Sequence, residues 1–380
     1  MTEPHDRPTN AVHSEPPARR VDAARHLLRP HLLRDSLAVG RQPSMRNSAL
    51  AGLQAAFATA IALPLVYLSP WSHLIGFAAL GALVALFGRF APEQRRQRIV
   101  LLCAVLQTCT VLAMSSAAWL GLPAWALMAL LAAGCGVLFL LSVSGRFGAP
   151  GALIFVFAAG ASMEAATSFP AVIERTAVTA AVAALAWLIC ASTEFLRHKA
   201  TPQGSFVVEP VEPLSDRLMA SLRISVGAAV AIFVSHALGA QHLAWAAMGS
   251  LAVMQGAHLH ISMHRALQRT AGTVIGALLA WLILLFDPSV WTVIAILIVL
   301  QIATEMIIGS NYGLGQILVT PMALLMTYLA NPGAADMAMV PERVIDTMLG
   351  AAIGISAAVL FSTIHDRREL AHRHASRARE

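Results

Sequence analysis

Charge is what this chain has least of. Only 12% of its residues are Asp, Glu, Lys or Arg, against about 25% in an ordinary soluble domain. A chain that poor in charge cannot cover itself with a polar surface, so a soluble globular class is excluded. Lysine is almost absent, Lys199 being the only one. No G-x-x-x-x-G-K-[ST] loop exists, which excludes a P-loop ATPase. The four cysteines (Cys103, Cys109, Cys135, Cys190) lie in apolar runs, with no CxxC pair and no disulfide framework. They read as small core hydrophobes. No HExxH cluster and no nucleophile with a paired base is present, so no enzyme class is indicated and no cofactor is expected.

What fills the chain instead is apolar: 57% of residues are hydrophobic and the mean hydropathy is +0.69. Long uncharged runs of about 20 residues match the thickness of a bilayer core. Because they are continuous rather than alternating, they predict helices and not a membrane barrel. The expected fold is an all-α integral membrane protein of about twelve transmembrane helices, ten to twelve being defensible. The first half reads as six spans at 47–68, 73–87, 99–119, 125–143, 152–166 and 174–195. The second half reads as six more at 218–238, 243–256, 270–286, 290–308, 314–329 and 344–364. The second span of each half and 152–166 are short enough to be partial crossings. The domain reading follows: a basic cytosolic tail over 1–46, a first repeat over 47–196, a linker over 197–217, a second repeat over 218–364 and a basic tail over 365–380.

The halves repeat one another. Ala78-Ala79-Leu80-Gly81 is echoed by Ala246-Ala247-Met248-Gly249, and Glu174-Arg175 by Glu342-Arg343, both at a spacing of 168 residues. Six spans per half give two parallel copies, a plan common among transporters. The net charge of +6 with a pI near 9.8 is no nucleic-acid footprint. With both termini cytosolic, the basic residues gather in tails and alternate loops, as the positive-inside rule requires. Arg223 lies within snorkelling reach, and Arg175 and Arg343 are the exceptions. This orientation predicts a multi-pass protein of a bacterial inner membrane, with the lipid bilayer as its first partner.

Two stretches carry a family likeness. Glu342-Arg343-Val344-Ile345-Asp346-Thr347-Met348-Leu349-Gly350 resembles the Arg-x-x-Asp-Thr-x-x-Gly helix start of the fusaric-acid-resistance (FUSC) family of membrane transporters and aromatic acid exporters. Leu267-Gln268-Arg269-Thr270-Ala271-Gly272-Thr273-Val274-Ile275-Gly276 is similar to that family's Arg-x-x-Gly-Thr-x-x-Gly helix entry. With the hydropathy layout, the likeness covers about residues 47–364. It implies export of small, often aromatic, carboxylic acids across the inner membrane, in some members with a periplasmic adaptor protein, and the leading expectation is an exporter coupled to the proton gradient. Larger members carry a cytosolic domain between membrane modules, and here the segment 197–217 stands in its place. A non-transporting scaffold or partner subunit is the alternative reading, and the residues leave homo-oligomerisation open.

The candidate residues each have a plain and a sharper reading. Glu342, Arg343 and Asp346 share one helical face; they are either helix-entry charges or an anion site, with Arg175 and Arg343 as its cations. In the sharper case Asp346 carries protons, with Glu342 and Glu174 as further candidates. Phe147-Gly148 and Tyr312-Gly313 open the fifth span of each half. They are either tight turns or interrupted helix ends that hold an aromatic substrate. Arg98 and Arg269, each preceded by Gln, are interfacial anchors or collectors of organic anions. Glu305 has no echo in the first half and reads as a lone proton carrier. His258, His260 and His264 lack the accompanying ligands of a zinc site and read as interfacial, so no metal is expected. Gly272, Gly276, Gly350 and Gly354 read as close helix contacts.

Overall fold

The computed structural model describes residues 40, 42–164, 166–198, 212–255, 259–330 and 337–361. The two proposed tails (apart from Gly40 and residues 42–46), most of the linker, His258 and the His260 side chain lie outside the described residues. Among those described, twelve α-helices follow one another and no strand occurs. They are α1 (Met45–Tyr67), α2 (Ile75–Ala82, flanked by 3-10 turns Ser72–Leu74 and Leu83–Leu86), α3 (Glu93–Trp119), α4 (Ala124–Ser144), α5 (Leu153–Ala161) and α6 (Phe169–Ser192). After the linker come α7 (Leu214–Ala237), α8 (Ala244–Met254), α9 (Leu259–Leu284), α10 (Val290–Ile308), α11 (Tyr312–Ala330) and α12 (Met339–Leu360).

Local chemistry sets where these helices start. The Ser44, Ser168 and Ser289 hydroxyls accept the backbone N–H three residues on and cap α1, α6 and α10, satisfying donors that a helix leaves orphaned at its entry. Pro92, Pro123 and Pro213 stand immediately before α3, α4 and α7, where a missing N–H costs nothing. Several helices start earlier than expected, α9 by eleven residues and α3 by six, and two of these shifts bear on the charged motifs. The Ser168 cap moves the start of α6 back to Phe169, and α12 starts at Met339 with Pro341 in its first turn. Arg175 and Arg343 are therefore carried into the second turn of their helices.

Nine of the twelve helices are long and apolar enough to cross a membrane. The exceptions are α2, α5 and α8, the three segments that the sequence marks as short, so among the described residues nine helices, short of the expected ten to twelve spans, have the length of a full crossing. For α2 and α8 the reason is burial. Every residue of α8 except Met254 is buried, and so is every residue of α2 except Phe77. A helix sheathed by protein has no need to match the bilayer thickness. The surface is apolar instead: Leu53 and Phe57 on α1, Leu101 and Val105 on α3, Val230 and Phe233 on α7, and Val274 and Leu278 on α9 are all exposed. Polar side chains such as Gln54, Arg96, Gln301, Gln316 and Arg343 are buried. That inversion suits a hydrocarbon surround, in which polar groups must find partners inside the bundle.

Helices pack across the two halves as well as within them. The α1 helix lies against α10 and α4 against α7, while α3 with α6 and α9 with α12 close each half. Small residues permit the tightest of these contacts. A methyl group added at Gly276 would meet the Ile317 carbonyl oxygen of α11 at 2.5 Å, and one at Gly350 would meet the Ser250 backbone nitrogen of α8 at 2.9 Å. Both obstacles are backbone and cannot rotate away. Gly350→Ala is thus expected to lower stability by about 1–3 kcal/mol through overpacking; a thermal-shift assay in detergent checks this, and an unchanged Tm would refute the contact.

Candidate functional site

Helix direction sorts the charges to two ends. The linker end holds the start of α1, the exit from α2, the entry to α3, the end of α6 and the start of α7. The far end holds the turns α1–α2 and α7–α8, the end of α11 and the start of α12. At the far end, a cavity of about 750 Å³ opens between the halves, within the size range of small-molecule sites. His73, Phe77, Glu164 and Arg175 line it from the first half, and His242, Trp245 and Glu342 from the second. Most of its remaining wall is apolar and includes Met128, Met163, Met326 and Met339.

The two sides of this cavity carry matching pairs. His73 faces Glu174 at 3.6 Å and His242 faces Glu342 at 2.9 Å. The Arg175 guanidinium lies over the Phe77 ring at 5.3 Å, and the Arg343 guanidinium lies over Trp245 at 5.1 Å. Phe77 and Trp245 are 168 residues apart, the spacing of the two arginines. The pairs differ in depth. Arg175 is partly exposed, and one of its nitrogens donates to the Glu164 carbonyl oxygen at 2.9 Å. Arg343 is 2% exposed, and its Nε and Nη1 have no hydrogen-bond partner.

Behind Trp245 lies a buried polar cluster. Arg269 of α9 is 3% exposed and donates to the Tyr312 hydroxyl at 3.0 Å and to Gln316 Oε1 at 3.5 Å. Arg343 lies within electrostatic reach of Arg269, Tyr312 and Asp346. One oxygen of Asp346 accepts from the Ser235 hydroxyl at 2.7 Å, while Oδ2 has no partner; neither do Thr347 Oγ1 and Arg269 Nε. Two guanidinium groups thus share a buried region with one carboxylate. An unsatisfied cation in such surroundings is costly, and an anion seated there would lower that cost.

Glu342 serves a neighbour rather than its own helix. Its Oε1 accepts the backbone N–H groups of Gln241 (2.6 Å) and His242 (2.7 Å), which holds the turn leading into α8. Asp346, one turn deeper on α12, belongs to the buried cluster.

Several candidates fall elsewhere. Phe147 is packed in the core against Phe87 and Phe155. Gly148 sits at positive φ in the turn before α5, whereas Gly313 lies in the first turn of α11; none of the three lines the cavity. The aromatic-Gly pairs therefore do not form a common site, because Phe147 finds aromatic partners in the core while Tyr312 finds Arg269. Arg98 is exposed, and Arg96 is the arginine that turns inward, toward Gln54 and Glu194. Two residues along a helix is a rotation of about 200°, so the repeat alignment picks the wrong face. Glu305 is not a lone carrier: it is 5% exposed and ion-paired with Arg89. Nearby, Arg197 donates to Glu194 at 2.6 Å and to the Arg89 carbonyl oxygen at 3.0 Å. Glu174 reaches the site only through His73. Among the described residues no group of three or more metal-ligating side chains comes together.

Four site residues escaped sequence reasoning: His73, Phe77, His242 and Trp245. A signal for them exists. His-Leu recurs at 73–74 and 242–243, and an aromatic stands at the repeat spacing beneath each arginine.

Comparison with known proteins finds likeness in the second half of the chain. Residues 230–357 match the family model described as fusaric acid resistance protein-like. The chain is also 33% identical over 143 residues to the uncharacterized membrane protein YvaC of Bacillus subtilis (strain 168), a match covering 38% of this chain and 23% of that protein's length. No solved structure matches. The matched family residues include all of α8 to α11 and most of α12, with Trp245, Arg269, Arg343 and Asp346 among them. Over residues 230–357, the chain is similar to the fusaric acid resistance protein-like family, and its apolar helices make it a multi-pass membrane protein.

Proposed function

We propose that the chain is a transporter that exports small organic acids, aromatic carboxylates foremost, across a bacterial inner membrane. The observation that carries this reading is the buried pair Arg269 and Arg343, with unpartnered guanidinium nitrogens beside a single carboxylate. A carboxylate substrate would supply the missing charge and the missing acceptors. The apolar, methionine-rich cavity suits the body of such a molecule, methionine being adaptable to many shapes. Arg175 at the cavity wall and Arg343 behind it give an anion two stations toward the far end, which we assign to the periplasmic side. The linker end, rich in arginine, we assign to the cytosol. The reciprocal packing of α1 on α10 and α4 on α7 supports our reading of two parallel repeats with the pathway between them.

Asp346 is the group we assign to the coupled proton. When ionised it competes with a bound anion for Arg343, so its protonation state alters occupancy of the site. The purified protein in liposomes, challenged with benzoate and a panel of aliphatic and aromatic acids with and without a pH gradient, tests the whole reading. Movement of an aromatic acid that responds to the gradient, with the response lost in Asp346→Asn, is the expected result. No acid moved under any condition would leave the alternative, a scaffold or partner subunit of an envelope or efflux complex.

A further inference from the structure

We infer that Trp245 is the barrier between the far-end cavity and the buried arginine cluster, and that it decides which solutes reach Arg343. The inference deepens the transport reading and rests on the same cluster. Trp245 lines the cavity, as do its neighbours His242 and Glu342, yet Arg343, Asp346, Ser235 and Arg269 do not. The indole is 1% exposed. The His242 ring is stacked on it at 4.1 Å, with 6° between the ring planes, and the Arg343 guanidinium lies over it at 5.1 Å. A solute in the cavity therefore meets indole before it meets guanidinium.

The first half shows the same pair without the barrier. Phe77 and Arg175 stand at the equivalent positions, keep the same stacking, and both line the cavity. One fold element, repeated, exposes its arginine on one side and withdraws it on the other. The indole is held by contacts that an anion could replace, because a charge delivered to Nε and Nη1 of Arg343 competes directly with the cation–π contact. A cation has no such lever, so the barrier admits by charge sign.

Chemical labelling tests this without any transport assay. Cys103, Cys109, Cys135 and Cys190 are first replaced by alanine, and Ser235→Cys is introduced as the reporter, since Ser235 is fully buried and touches Asp346. Membrane-impermeant methanethiosulfonates of either sign, one a sulfonate and one a trimethylammonium, are then applied to the protein in liposomes. Slow labelling is expected with Trp245 intact. Trp245→Ala should raise the rate at least tenfold for the sulfonate and by a still larger factor for the ammonium reagent, which the intact barrier excludes, while Phe77→Ala leaves both rates unchanged. Trp245→Phe, which retains an aromatic ring, should stay within about threefold of the parent, and serves with Trp245→Leu should the alanine variant fail to insert. Equal rates with and without Trp245, or a preference for the cationic reagent with Trp245 intact, would overturn the proposal. A protein that moves no acid but shows this labelling pattern would retain the barrier and lose the transport reading.

Discussion

Arg343→Ala is expected to insert and to keep its thermal stability while losing transport and benzoate binding. Removing a buried charge that engages a charged ligand costs about 2–5 kcal/mol of binding, which is about 30-fold to several thousand-fold in affinity. The fold should tolerate the change, because Nε and Nη1 of Arg343 make no hydrogen bonds that the bundle would lose. Deleting the cation also removes a repulsion from Arg269. Arg343→Lys should recover only part of the function, since an ammonium keeps the charge but loses the planar fork that a carboxylate fits. Binding titrations on the detergent-purified protein, paired with thermal shifts, separate the two effects. Wild-type affinity in Arg343→Ala would remove the anion site, and a collapsed Tm would make the residue structural instead.

The opposite outcome is expected at the linker end. Arg89 and Glu305 are each 7% exposed in their side chains and pair between the exit of α2 and the end of α10, so the contact ties the two halves together. Truncating one partner strands the other charge, at a cost of about 3–5 kcal/mol. Arg89→Ala and Glu305→Ala should therefore each lower the Tm strongly. Replacing both with methionine should recover most of the loss, because apolar side chains of similar volume leave no charge unpaired. A double-mutant cycle measures the coupling, and additive losses would show that the pair does not act as a unit. A transport defect in the single variants, restored in the double, would separate this strut from the proton carrier that Glu305 alone resembles.

Much of the fold was legible because hydrocarbon imposes one simple rule on sequence. Continuous apolar runs bounded by serine caps and prolines place helices to within a few residues, as at α1, α4 and α10. The rule fails where a helix faces protein on all sides. Runs as apolar as 73–87 and 243–256 are indistinguishable by composition from spans, yet the bundle encloses them and they stay short. The candidate site was legible only in part for a related reason. Charge in an apolar run marks Arg343 and Asp346 by its cost alone, and repeat spacing marks Arg175. Neither signal says which face of a helix turns inward. Arg96 and Arg98 stand two residues apart, and only packing makes the first a buried link and the second a solvated anchor. Glu305 looked solitary because its partner is 216 positions away.

The sequence by itself determined an all-helical membrane chain, its doubled motifs and the identity of its costly charges, since burial in lipid penalises every exception locally. The tertiary structure decided which exceptions meet. It set Arg343 against Trp245 and out of the cavity while its counterpart Arg175 stands in the wall, and it gave Glu305 to Arg89. Those outcomes depend on helix rotation and close approach through glycine, which are properties of pairs of helices and are written in neither helix alone.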